Sequence, residues 1–157
     1  MKKILLFICI LFLLVGCGKE KATKVSKEIS DFERACRDSG YTASNNMGAY
    51  TSDKYITNAS ICRIDENDGI KYDMEMVVYD NESSAIKVQD NQIEQIKMLK
   101  SINGTQSDDE GENYRKYTMI SNGYYMVSSR IDNTLIFTKI FLDEKDNVDV
   151  IFNILGY

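Results

Sequence analysis

Hydrophobic positions along this chain change period several times, and each change marks an element. The first block has no period: from Ile4 to Val15 the residues are almost all apolar, behind Met1-Lys2-Lys3. A cationic start and a short apolar core make up an export leader, and the run is shorter than the ~20 residues a spanning helix needs. After a polar stretch, Gly18 to Lys24, the period becomes helical. Val25, Ile29, Phe32 and Cys36 recur at i, i+4, i+7 and i+11, with Ala35 beside them. This spacing predicts a helix over Val25 to Ser39 that buries one face. Ser30 and Glu33 have capping-box spacing, so a start one turn later is the alternative. Gly40 suits the left-handed residue that closes a helix, and Tyr41 can pack back onto it.

Tyr41 to Lys54 is polar and rich in Ser, Asn, Gly and Thr, predicting a loop with at most a weak strand. Tyr55 to Asp65 reads as a strand carrying Cys62, and Glu66-Asn67-Asp68-Gly69 as a turn. From Ile70 to Tyr79 the period is two: Ile70, Tyr72, Met74, Met76 and Val78 face one way, Lys71, Asp73 and Glu75 the other. Asp80 or Asn81 then caps a second helix with Glu82 in its first turn, and Ala85, Ile86, Val88, Ile93, Ile96 and Leu99 share a broad arc. Asn103-Gly104 ends it. Thr105 to Asn113 holds Asp108, Asp109, Glu110 and Glu112 around Gly111 and predicts a solvated loop.

Three strands follow, Tyr114 to Ile120, Tyr124 to Ile131 and Thr134 to Leu142. The pairs Asn122-Gly123 and Asp132-Asn133 join them, the first being the strongest short hairpin signal in the chain. A last helix opens near Asp143, aligns Val148, Ile151, Phe152 and Leu155, and closes on Gly156-Tyr157. The predicted order is α-β-β-α-β-β-β-α. Hairpins interleaved with helices imply an α+β fold, a twisted antiparallel sheet with helices mainly on one face.

The apolar leader ends in Leu14-Val15-Gly16-Cys17. These four residues resemble the lipobox of bacterial lipoprotein precursors, Leu-(Ala/Ser/Thr/Val)-(Gly/Ala)-Cys, at every position. The resemblance implies cleavage after Gly16 and a diacylglycerol thioether on Cys17, which becomes the mature N-terminus. The chain then divides into a leader (1–16), a lipidated cysteine and tether (17–24), and one extracytoplasmic domain (25–157). Ser121 to Ile136 and the closing Leu155-Gly156-Tyr157 are similar to short lipoproteins of low-GC Gram-positive bacteria. That likeness implies a cell-membrane location and a fold but no mechanism.

Losing Lys2 and Lys3 with the leader takes the net charge from −5 to −7. A chain this acidic does not suit nucleic acid, which needs a basic stripe to displace counterions. Histidine, tryptophan and proline are absent. Without histidine, the commonest general base, zinc ligand and activator of a Ser or Cys nucleophile are all missing. No metal or other cofactor is expected. Cys9 leaves with the leader and Cys17 takes lipid, so Cys36 and Cys62 remain. An even pair in an exported domain favours a disulfide, and two buried free thiols are the alternative.

Other motifs have stronger structural explanations. Asp65 to Gly69, with Glu75 beyond, invites a calcium loop. An acid is missing at Ile64, though, and a strand rather than a helix follows, so a hairpin turn is favoured. The acids from Asp108 to Glu112 could hold a hard cation but read as a hydrated loop. Ser84-Ala85-Ile86-Lys87 has the Ser-x-x-Lys spacing of penicillin-binding proteins without its partner motifs. Of the ten tyrosines, Tyr79, Tyr117 and Tyr124 form a candidate aromatic binding face if they lie on the sheet side away from the helices. Core packing explains the same residues without function. The expected function is a membrane-anchored, non-catalytic module that binds an envelope protein or glycan. A small-ligand or cation-binding lipoprotein is the alternative.

Overall fold

The computed structural model describes residues 21–65 and 71–157. The leader, Cys17 and the Glu66–Gly69 turn lie outside the described residues. Among the described residues the fold is α+β: one seven-stranded antiparallel sheet and three α-helices. In chain order these are α1 (Ile29–Asp38), β1 (Thr42–Asn45), β2 (Ile56–Asp65), β3 (Lys71–Tyr79), α2 (Glu82–Met98), β4 (Thr105–Glu110), β5 (Tyr114–Ser121), β6 (Tyr124–Ile131), β7 (Thr134–Phe141) and α3 (Lys145–Leu155). The sheet order is β1-β2-β3-β7-β6-β5-β4, two meanders joined at their last strands, β3 and β7.

The order α-β-β-β-α-β-β-β-β-α has two strands more than expected. β1 lies in the first polar stretch, and β4 is Thr105–Glu110, read from its acids as a loop. Both are edge strands. Every β4 residue is exposed, so neither of its faces leaves an apolar period to detect. Asp108 is exposed but held in place, taking two bonds from Arg115 at 2.9 and 2.7 Å. Arg115 accordingly holds the Asp108 carboxyl below its ordinary range.

Helix packing also differs. α1 and α3 cover one sheet face: Phe32, Ala35 and Cys36 with Val148, Ile151 and Phe152 bury Cys62, Met74, Met76, Val127, Ile136 and Ile140. α2 covers the opposite face, where Ala85 meets Val77, Tyr79 and Leu135, and Ile93 and Ile96 meet Tyr117, Met119 and Met126. Two covered faces explain why β6 is buried almost throughout. Val25 precedes α1 and is exposed; the helix starts at Ile29 with Glu28 at its N-cap, and Ser30 and Glu33 do not form the expected capping box. Ile86 and Leu99 are likewise exposed, and a glutamine, Gln89, takes a buried place on α2.

The stops and turns follow the sequence. Gly40 and Gly156 have φ of 86° and 78°, and each following tyrosine N–H closes its helix, Tyr41 on Cys36 O (3.0 Å) and Tyr157 on Phe152 O (2.9 Å). Asn122 and Gly123, at φ 54° and 79°, make the β5–β6 turn with Ser121 paired to Tyr124. Cys36 and Cys62 are brought together in the α1–β2 core but are free thiols, not a disulfide. Each serves as a small apolar filler, and mutual hydrogen bonding with burial raises the Cys36 thiol well above its ordinary pKa.

Candidate functional site

A cavity of about 350 Å³ opens at the sheet end where β2 begins and β3 stops. Its first wall is a tight turn before β2. Asp53 N–H donates to Tyr50 O (2.9 Å), and Tyr55 N–H donates to the Asp53 carboxylate (2.9 Å), an Asx turn that presents the Tyr55 ring at the rim. The turn is tied to the strand opposite, since Asp80 N–H donates to Tyr55 O at 2.8 Å.

The second wall is the start of α2. Asn81 caps the helix, its side chain accepting from Ser84 N–H at 2.9 Å, and this points Ser83, Ser84, Lys87, Val88 and Asn91 along the cleft. Between the walls sits Tyr79, the last residue of β3, only 4% exposed. Its backbone is locked to the β6–β7 turn: Tyr79 N–H donates to Asn133 O (2.9 Å), and the Asn133 amide donates to Tyr79 O (2.6 Å). Burial, reinforced by the charges of Asp53 and Glu75, pushes the Tyr79 hydroxyl up to about 12, so it carries its proton at neutral pH. Glu75, four residues earlier on the same face, is bound by the Tyr50 hydroxyl at 2.6 Å and by the Asn46 amide.

A buried polar network braces this end of the molecule. Arg130 on β6 reaches Glu82 (2.7 Å), Gln89 (3.3 Å) and the carbonyls of Asn113 (3.2 Å) and Asp132 (3.0 Å). Gln89 donates in turn to Arg115 O at 2.8 Å. Asn113 joins the network to the N-terminal arm, binding Lys24 through both atoms of its side-chain amide and Asp132 at 2.8 Å. Glu112 N–H also donates to Ala22 O at 2.9 Å. The stretch expected as a tether is therefore held to the fold from Ala22 onward. Gln89, Arg130 and Asn113 gave no signal in the sequence, because each is polar and its partners are far along the chain.

The tyrosines of the expected binding face do lie on one side of the sheet, but on the side that α2 covers. Tyr79 and Tyr117 are buried, and Tyr117 donates to Gln106 at 3.2 Å beneath Ile93 and Ile96. Tyr124 is half-buried at the other end of the sheet, its ring stacked on Phe141 with centroids 5.0 Å apart. The three do not form a surface patch; Tyr79 alone reaches a cavity. Ser84 and Lys87, which have Ser-x-x-Lys spacing, both line that cavity, Ser84 at the capped first turn. Among the described residues no cluster of three or more Cys, Asp or Glu side chains could hold a metal ion, and no helix is long and apolar enough to cross a membrane.

No family model and no curated protein matches this chain. Among solved structures, the chain is similar to a GTP binding regulator from Thermotoga maritima, with a TM-score of 0.47 and 13% identity over 82% of this chain and 87% of that one. A likeness this distant carries no argument about activity.

Proposed function

We propose that this protein is a lipid-anchored extracytoplasmic binding module, non-catalytic, whose contact surface for an envelope protein or glycan is the cleft between Tyr55 and α2. Cys17 carries the lipid in this reading, on the strength of the four-residue lipobox. The cleft carries the binding. It is a concave site of the size small ligands and side chains enter, with apolar walls and a few converging polar groups. Among the described residues no helix crosses it and no edge strand closes it.

Anchor and cleft bear on one another. Ala22 and Lys24 are fixed at the β4–β5 connection, at the sheet end that also holds Tyr79 and the start of α2. Five residues separate Cys17 from Ala22 and span at most ~17 Å. A lipid on Cys17 therefore keeps this end, and the cleft with it, near the headgroups. The exposed Met98, Leu99 and Ile102 of the α2–β4 connection then sit at the far end.

A photo-crosslinking residue at Tyr55 in the native host tests this reading. One dominant envelope adduct is expected, lost in the Cys17→Ala chain, which should also leave the detergent phase for the aqueous phase. Absence of any adduct above that control would sink the reading.

A further inference from the structure

We infer that the cleft is a saccharide site organised around the Tyr79 hydroxyl. The inference rests on the proposed reading of this cleft as the contact surface and adds the chemistry of what it holds. The buried tyrosines provide the contrast. Hydroxyls of Tyr114, Tyr117, Tyr125 and Tyr157 meet Asp109, Gln106, Asp149 and Thr134 respectively, and half-buried Tyr50 meets Glu75. Tyr79 is as buried as these, yet no described residue hydrogen-bonds its hydroxyl. A buried polar group without a partner among the described residues calls for an explanation, and here its residue lines a cavity.

The surroundings select the ligand. Tyr79 keeps its proton and offers a donor, which asks for an oxygen acceptor. Asp53 supplies an acceptor and Lys87 donors, so the lining has one charge of each sign and no net preference for an anion or a cation. Ser83, Ser84 and Asn91 can each donate and accept. Tyr55 and Val88 add apolar surface at the rim and the side. Hydroxyl groups in several directions around an apolar C–H face are what this lining matches. A sugar ring has that chemistry, and about 350 Å³ suits a mono- or disaccharide. A phosphate would meet Asp53 as well as Lys87, and an aliphatic ligand would leave the hydroxyls unpaired.

Calorimetric titration of the full lipidated chain in detergent micelles with N,N′-diacetylchitobiose, and separately with cellobiose, tests the inference. Saturable binding of at least one disaccharide is expected. Tyr79→Phe should weaken it about fivefold, the worth of one neutral hydrogen bond. The melting temperature should hold or rise in that variant, because the hydroxyl it removes has no protein partner. Tyr117→Phe, which loses a bond outside the cleft, should leave the titration unchanged. No heat with either sugar, or binding indifferent to Tyr79→Phe, overturns the saccharide site. The crosslinking result at Tyr55 stands apart from this, since a protein adduct there with no sugar binding would keep the module and discard its ligand.

Discussion

The side chain of Asn113 pairs with Lys24 as a neighbouring strand would, accepting from Lys24 N–H at 2.9 Å and donating to Lys24 O at 2.8 Å. Eighty-nine residues separate the two in sequence. The pairing holds the arm before α1 against the β4–β5 connection, with the Lys24 ammonium 4.6 Å above the Tyr114 ring. Asn113→Ala removes both bonds and the one to Asp132. The domain should lose about 1–3 kcal/mol, and limited proteolysis should cut between Ala22 and Glu28, where the wild type resists.

Gly111 is the other half of this junction. A Cβ there would stand 2.3 Å from Ala22 O and 2.0 Å from the Tyr114 ring. The constraint is close approach, since the Gly111 φ is not in the left-handed region. Gly111→Ala should destabilise by about 1–3 kcal/mol, read by urea unfolding. In a chain already lacking residues 18–24 the same substitution should cost less, because one of the two clashes is gone.

Arg130 is almost wholly buried and binds Glu82 at 2.7 Å, Gln89 and two carbonyls. Its fork holds several acceptors in fixed directions, which a lysine cannot copy. Arg130→Met leaves Gln89 Oε1 and the Asp132 carbonyl without this donor, while the Asn113 carbonyl keeps the Asp132 N–H at 2.8 Å. The change should cost about 2–4 kcal/mol, the outer carboxylate of Glu82 being hydrated in part. Arg130→Lys should recover less than half, measured by the same unfolding curves.

Cys36 and Cys62 are wholly buried free thiols. Iodoacetamide should modify neither in the native state and both in denaturant, giving two added groups by mass. A native mass two hydrogens lower would show that the pair had oxidised.

High pH should unfold this domain steeply. Burial raises the hydroxyls of Tyr79 and Tyr157 to about 12 from 10, and burial with bonds to Glu75 and Asp149 raises those of Tyr50 and Tyr125 as well. A folded pKa above the unfolded one means the native state keeps protons that the unfolded chain has lost. The stability is therefore fully present below pH 10 and falls as pH rises from 10 towards 12. The tyrosinate absorbance of these four tyrosines should appear together with loss of far-ultraviolet ellipticity, not before it.

Local signals were strong enough to place most elements from sequence alone. Asn122-Gly123 specifies the turn conformation by itself, so the β5–β6 register follows, and Gly40-Tyr41 and Gly156-Tyr157 stop their helices through backbone geometry available to few other residues. Amphipathic spacing likewise identifies the buried faces of α1 and α3. These features depend on residues close together in the chain. The layer covering each sheet face does not. Period two puts Tyr79, Tyr117 and Tyr124 on one side, and only the path of α2 across the sheet decides that this side is core. β4 escapes the same reasoning because an edge strand is held by backbone bonds to β5, with no burial to imprint on its side chains. The cleft was hidden for a similar reason: Asp53, Tyr79 and Lys87 belong to three elements, and only the docking of α2 beside the turn before β2 sets them around one cavity.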